Sequence, residues 1–462
     1  MNLTLSKNHN PNYLAKIVKI DSFKPHPNAD RMKLAQVDGF VVSVGIDTEP
    51  GIFIYFPIEC QIHNDYVSKN NLYRHKELNV DQEKFGYIED NRRVRCIKLR
   101  DFASEGMLMP IDSLSPLVTL PNNLEQYVGI EFDMLEKEQL VKKYVPKHIR
   151  TPGTPGSRSR NKEKKYEEKI VENQFRFHVD TEQFKKNLFR FNPDTIIHIS
   201  DKWHGTSHIA CNLLVNKKLS WYEKILKKIG VNIVDKEYQI FCASRKVIKD
   251  PEINKTLSSG FYDVDIWNVA LEVLKPYLTK GITIYSEIVG YLPNGKMIQK
   301  DYDYKCQYIP GVYNYSEMTP QQMYDAKLFK IMVYRITYTN VDGKVFEMSA
   351  RNLQQYCEKY GLTPVKELFY GYVAEFLGKG IFNEYTLSEE EVREQLLKCL
   401  QDTYLEKQCK ECNTKVPAEG VVVRVDQPNF EAYKLKSLAF LQKESKELDA
   451  GTEDIESQDD EE

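Results

Sequence analysis

The sequence predicts an α+β chain: a small N-terminal β-barrel, then a larger domain of antiparallel strands flanked by helices. Three observations carry this. From about residue 12 to 115, short alternating or apolar runs of strand length are separated by Pro, Gly, Asn and Asp. From about residue 171 to 444, strand-like runs mix with a strong helix signal. Between them, Lys142 to Lys169 hold ten Lys/Arg against three Glu and include "TPGTPGSRSRNKEKK". Pro, Gly, Ser and charge together mark a linker or a basic loop. The expected divisions are 1–140 (barrel core about 12–115), 141–172 as basic linker, 173–444 as the larger domain, and 445–462 as an acidic disordered tail.

The first strands are read from "YLAKIVKIDSF", "FVVSVGI" and "GIFIYF". In the larger domain, Thr195 to Ser200 alternate, and "GITIYSEIVGY", "KIMVYRITYTN", "EGVVVRVD" and "EAYKLKSLAF" read as strands. "LSEEEVREQLLKCLQDTYLEK" reads as a helix, with Ser388 and Glu391 placed as a capping box. "FYGYVAEFLGKGIF" is expected to be a core helix.

The chain has 462 residues, 41% hydrophobic and 28% charged, enough for two or three globular domains. No run of about 18 apolar residues is present, so no membrane partner is expected. The opening "MNLTLSKNHNPNYLAK" lacks the apolar core of a signal peptide. Nine scattered cysteines, an odd number, point to free thiols in a reducing compartment, hence the cytoplasm. The net charge is −3, but residues 447 to 462 carry nine acids and no bases, which leaves +6 on the rest. A basic body fits a polyanion ligand and equally an ordinary solvated surface.

A phosphate-binding P-loop needs Gly-Lys followed by Ser or Thr. The three Gly-Lys pairs are followed by Met297, Val345 and Gly380, so any nucleotide is held another way. The strands offer one. Glu287 lies in "IYSEIVG", Tyr334 and Arg335 in "IMVYRIT", and Glu419 opens "EGVVVRV". Lys434 and Lys436 alternate in "YKLKS", so both face one side of their strand. Lys202 follows the alternating run, and Arg245 lies in "ASRKVIK". For each residue singly, a surface or ion-pair role competes. The order of all of them together is what carries the reading.

That order, from about residue 173 to 440, resembles the covalent nucleotidyltransferase superfamily of ligases and capping enzymes. Lys202-Trp203-His204-Gly205 matches its Lys-x-Asp/His-Gly signature; the His form followed by Thr206 is similar to the nick-sealing RNA ligases. The resemblance implies an adenylyltransferase (ATP-grasp-like ligase) domain. It implies Lys202 as the nucleophile that carries AMP, Arg245 on the nucleotide, Glu287 on the ribose, and Tyr334 stacked on adenine. Lys434 and Lys436 would contact the phosphates. Arg335 stands where the family usually has Asp, so only the Tyr334 role carries over. Mg2+ or Mn2+ would sit on phosphate oxygens, with Glu419 as ligand and His204 on phosphate or metal-bound water; packing at the strand end competes for His204.

The physics agrees with those roles. A lysine attacks phosphorus only as the neutral amine, yet at a pKa of ~10.4 it is almost wholly protonated at neutral pH. Burial and neighbouring cations would lower it. The implied reaction has three steps: Lys202 attacks the α-phosphate of ATP, AMP passes to a 5′-phosphate end of RNA, and a 3′-hydroxyl displaces AMP to seal the strand.

Lys24 to Gly39, "KPHPNADRMKLAQVDG", and Arg93 to Ile111, "RVRCIKLRDFASEGMLMPI", resemble the opening and end of a tRNA-binding type OB barrel. Such a domain precedes the transferase in RNA ligases of the Deinococcus and Naegleria type, where it holds RNA flanking the break. Arg93, Arg95 and Lys98 are the candidate RNA contacts, Arg93 and Arg95 sharing a face; a solvated edge strand explains them equally well. The expected partner is RNA, as a nicked duplex or a broken structured RNA such as a tRNA, acting in repair, on a monomer in a bacterial or phage-infected cell. About 20 residues follow "KLKS", where DNA ligases and capping enzymes carry an OB domain; this argues against both. A GTP-dependent capping transferase and a non-catalytic RNA-binding protein with a degenerate transferase are the alternatives. "CKEC", Cys409 and Cys412, has metal-ligand spacing, but a zinc site needs four ligands and no second pair lies near.

Overall fold

A computed structural model of the chain describes residues 1–146, 166–249, 265–378 and 388–449. The N-terminal region is built from short antiparallel pairings. Strands β1 (Ala15–Ile20), β2 (Met32–Val37), β3 (Phe40–Gly45), β4 (Gly51–Phe56), β5 (Met107–Pro110) and β6 (Glu131–Phe132) are its main members. They divide into a four-stranded sheet, order β5-β4-β1-β6, and a sheet in which Lys24–Pro25, β2 and β3 pair in turn. Alternation sets the faces: in β1, Ala15, Ile17, Val18 and Ile20 are buried while Lys16 and Lys19 point outward to Asp38 and Glu125. The described pairings are several sheets and do not close into one continuous barrel.

The larger region holds two sheets. The first contains β7 (Glu182–Gln183), β8 (Ile196–Lys202), β13 (Glu367–Tyr372), β14 (Gly420–Val425) and β15 (Glu431–Lys436), in the order β7-β15-β14-β8-β13. Only the β7–β15 pairing is parallel. The second contains β9 (Thr206–Asn216), β10 (Lys236–Ala243), β11 (Ile282–Gly290) and β12 (Phe329–Thr339), in the order β10-β9-β11-β12 with each neighbouring pair antiparallel. Helix α1 (Ile266–Leu274) packs under this sheet, and seven of its nine residues are buried, which explains a helix apolar nearly all round. Helix α2 (Ala350–Tyr360) joins the same core through Leu353 and Cys357. Helix α3 (Glu389–Tyr404) covers the first sheet with Val392, Leu396 and Leu400, spaced by four. Its start carries the capping box expected at Ser388 and Glu391.

The structure corrects three sequence expectations. "FYGYVAEFLGKGIF" is not a core helix: Glu367–Tyr372 is a strand on β8, and only Val373–Phe376 is helical before residues outside the described set. Aromatic residues at its start suit an edge strand better than a helix. The last strand ends at Lys436, and Leu438–Asp449 is helix α4. Residues 445–449, expected in the disordered tail, are thus helical, and the rest of the expected tail, 450–462, lies outside the described residues. Most of the basic linker, 147–165, lies outside them too; Val141–Lys143 pairs with Cys60–Ile62.

Two buried ion pairs join the N-terminal region to the rest. Lys185 Nζ lies 2.7 and 2.6 Å from the two oxygens of Glu105, with both side chains buried. Arg93 is fully enclosed and reaches Glu59 at 2.9 Å, the Ser445 carbonyl at 3.0 Å and Asp449 at 2.5 Å. Leaving such a buried charge without its partner costs about 3–5 kcal/mol.

Candidate active site

Strands β8 and β9 are consecutive in the chain but lie in different sheets. Trp203, His204 and Gly205 make the crossing, so Lys202 ends one sheet beside the start of the other. The crossing is tight. A Cβ on Gly205 would lie 2.3 Å from the Ile288 carbonyl oxygen, so this position accepts only glycine. Its amide donates to Glu287 at 3.1 Å, its carbonyl accepts from Gln299 at 2.8 Å, and the His204 amide donates to the Tyr304 hydroxyl at 2.7 Å. Trp203 stacks on Tyr304 with ring centres 4.6 Å apart.

A cavity of about 200 Å³ opens between the sheets. The first sheet lends it Lys202, Lys434 and Lys436; the second lends Ser207, Glu287 and Tyr334, with Arg245 just past β10. Tyr13, Glu59, Lys143 and Tyr144 of the N-terminal region, and Leu441, Glu444 and Leu448 of α4, close the rest. Lys202 and Lys436 stand at one level, since Gly420 between them pairs with both. Gly420 itself has φ +142°, and a Cβ there would lie 2.1 Å from the Leu435 carbonyl oxygen. Lys434 and Lys436, two apart, face the cavity together as the alternation predicts.

Glu419 lies beneath these lysines, buried. One oxygen takes Lys202 at 2.8 Å and Lys436 at 3.5 Å; the other, Oε2, is buried with no hydrogen-bond partner. Burial pushes this carboxyl up, but Lys202, Lys436 and His204 overcome it and hold it below the usual carboxylate range. Lys436 also pairs with Glu444 of α4 at 3.0 Å. Lys434 has no hydrogen bond or ion pair among the described residues. Burial first, then the charges of Lys436, Lys202 and Arg245, bring its ammonium down to about 7, with Asp180 opposing.

The rest of the expected set divides. Arg245 reaches the cavity, held by Asp180 at 2.6 Å. Tyr334 lines it beside His178, ring centres 5.1 Å apart. His204 does not line it: the ring sits edge-on between Tyr302 and Phe440, each 5.0 Å away, which is the strand-end packing that competed for it. Arg93 and Arg95 are likewise turned from solvent toward α4. Both hold Asp449, Arg95 at 3.1 Å, so they share a face as expected but spend it on protein. Lys98 is exposed and pairs with Asp101 at 3.1 Å.

Three cavity residues escaped the sequence. Phe430 and His178 complete an aromatic wall with Tyr334, and burial lowers the His178 imidazole to about 3, so it is neutral. Asp180 orients Arg245. Phe430, three residues before "YKLKS" begins at Tyr433, was the findable one. Arg335, in place of the family's Asp, ion-pairs with Glu347 at 2.9 Å and lies 4.1 Å over the Phe430 ring. No group of three or more His, Cys, Asp or Glu among the described residues is arranged to hold a metal.

The same fold occurs in structures of the RNA ligase of Naegleria gruberi. A mutant with AMP and manganese matches with a TM-score of 0.53 at 14% identity, over 93% of this chain and 98% of that one. The ligase with pyrophosphate matches at 0.51 and 14%, over 94% and 99%. A second mutant with AMP and manganese matches at 0.51 and 15%, over 93% and 98%. No family model matches the sequence, and no curated protein does. At such identity the likeness is one of fold: this chain has the fold of these ligases over nearly its whole length.

Proposed function

We propose that the chain is an ATP-dependent RNA ligase that seals 3′-hydroxyl and 5′-phosphate ends. The observation that carries this is the meeting of Lys202, Lys434 and Lys436 with Glu287 and Tyr334 around one cavity at the junction of two sheets, with Glu419 buried against Lys202 and Lys436. The neighbours' AMP, pyrophosphate and manganese are what such a cavity would hold.

Lys202 Nζ attacks the α-phosphate of ATP and displaces pyrophosphate, giving lysyl-AMP. Glu419 Oε1 accepts a hydrogen bond from the attacking nitrogen and steadies it. Lys434 and Lys436 place positive charge where the phosphates gain negative charge. Burial and the neighbouring cations bring the Lys434 ammonium down to about 7, and a phosphate beside it would favour the charged form. Tyr334, Phe430 and neutral His178 offer an apolar wall for adenine; Glu287 faces the ribose. Mg2+ or Mn2+ would neutralise phosphate charge, and the unpartnered Glu419 Oε2 is the protein oxygen suited to it. AMP then passes to the RNA 5′-phosphate and leaves when the 3′-hydroxyl attacks.

In this reading residues 1–140 are an OB-type module that holds RNA flanking the break, 141–172 a basic linker, and 173–444 the transferase. The substrate is a nicked duplex or a broken structured RNA such as a tRNA, repaired by a monomer in the cytoplasm of a bacterial or phage-infected cell. The test is incubation with α-labelled ATP or GTP and magnesium or manganese, then denaturation. Label from ATP that is lost in Lys202→Ala supports the ligase. Label from GTP alone moves the protein to capping chemistry, and no label from either removes both.

A further inference from the structure

The segment just before Glu419 carries Cys409 and Cys412, and nothing in the proposed reaction uses them. It forms a closed turn. Gln408 bridges Pro417, and the Cys409 amide donates to the Val416 carbonyl at 2.8 Å. Within the turn Cys409 packs against the apolar cluster that contains Cys412. Cys409 is half-buried and reachable; Cys412 is buried behind it. The more accessible Cys409, whose thiol Cys412 holds below the ordinary range, and the buried Cys412 are arranged as an attacking and a resolving cysteine. The surroundings differ for Cys60, Cys96, Cys211, Cys242, Cys306 and Cys357, all buried with their thiols pushed up by burial.

The turn is tied to the loop that carries Lys202. Asn413 donates to Asp303 at 2.8 Å, and the Tyr302 hydroxyl donates to the Pro417 carbonyl at 2.9 Å. Tyr304 in turn holds the His204 amide and stacks on Trp203. Cys412, Trp203 and Tyr304 pack in one apolar cluster.

We propose that Cys409 and Cys412 form a reversible dithiol–disulfide pair whose oxidation loosens the loop that carries Lys202. The oxidant is a low-molecular-weight disulfide such as oxidised glutathione. The Cys409 thiolate attacks one of its sulfurs, forming a mixed disulfide and releasing one glutathione thiolate. The Cys412 sulfur then attacks Cys409 and releases the second. One S–S bond forms and one breaks, two electrons pass to the oxidant, and the two protein protons end on two glutathiones. Closing the bond draws the Cys412 sulfur toward Cys409 and away from Tyr304.

The full chain is equilibrated across reduced and oxidised glutathione mixtures, quenched in acid, alkylated, digested and weighed. The expected result is a 409–412 peptide that loses two alkylation sites and two hydrogens while the other seven cysteines still alkylate, all reversed by dithiothreitol. Backbone hydrogen exchange over residues 202–207 should rise on oxidation, and should not respond to oxidation in Cys409→Ser. The proposal is overturned if the pair stays alkylatable in fully oxidised glutathione, if it stops at a mixed disulfide, or if the disulfide forms and exchange over 202–207 is unchanged. None of these readings depends on ligase activity, so failure here and failure of the ligase proposal are separable.

Discussion

Arg93, buried in the N-terminal region, and Lys434, half-buried on the cavity wall, are both withdrawn from water, yet they are treated oppositely. Arg93 is met by Glu59, the Ser445 carbonyl and Asp449, and the two carboxylates hold its guanidinium charged against the cost of burial. Lys434 has no such partner among the described residues, and its ammonium falls to about 7. The difference separates structure from function. A buried charge with its counter-ions built in fastens two parts of the molecule. One left without them waits for an anion from outside.

The sharpest break of this comparison comes from the lysine that would react. Lys202→Ala should abolish covalent labelling by α-labelled ATP, read on a denaturing gel. Next, Lys434→Met should lower the rate of labelling by about 10²–10³-fold, the usual worth of one charge aimed at a reacting centre. It should also raise the melting temperature at neutral pH. The sign follows from the proton balance: between about 7 and the ordinary lysine range, the unfolded chain binds more protons than the folded one, so wild-type stability gains from Lys434 as pH rises. The stability gap between Lys434→Met and wild type should therefore narrow from pH 7 to pH 10; a constant gap would mean that Lys434 keeps its proton.

Arg93→Ala should do the reverse. It should cost about 3–5 kcal/mol in denaturant unfolding, because Glu59 and Asp449 are left unpaired, while folded protein keeps its labelling rate. A large loss of RNA binding with unchanged stability would restore Arg93 as an RNA contact. The smallest effect belongs to Arg95→Ala. Partly exposed, it should cost less than about 1 kcal/mol, and salt should erase much of that.

How much of this was legible in the sequence follows the same division. The strands of the larger region, the capping box at Ser388, and the placement of Lys202, Glu287, Tyr334, Glu419, Lys434 and Lys436 were readable, because alternation and motif order are local properties of the chain. What pairs with Arg93 was not, since Asp449 lies hundreds of residues away and no pattern near Arg93 reveals it. The packing of His204 was not readable for a related reason: its neighbours Tyr302 and Phe440 come from distant segments. The continuous N-terminal barrel was over-read, since strand-length runs fix where strands form and say little about which edges meet. The strand ending before Leu438 was missed because "SLAF" suits either state by propensity alone.

The Arg93–Asp449 clamp spans 356 positions of sequence, whereas the Lys185–Glu105 pair spans 80. On a ribosome the two are made at different times. At roughly 5–20 residues per second, Asp449 arrives roughly 20 to 70 s after Arg93. During that interval the N-terminal region can dock through Glu105, but Arg93 has only Glu59. Assembly of the cavity, whose far wall is α4, is thus one of the last events in the making of the molecule.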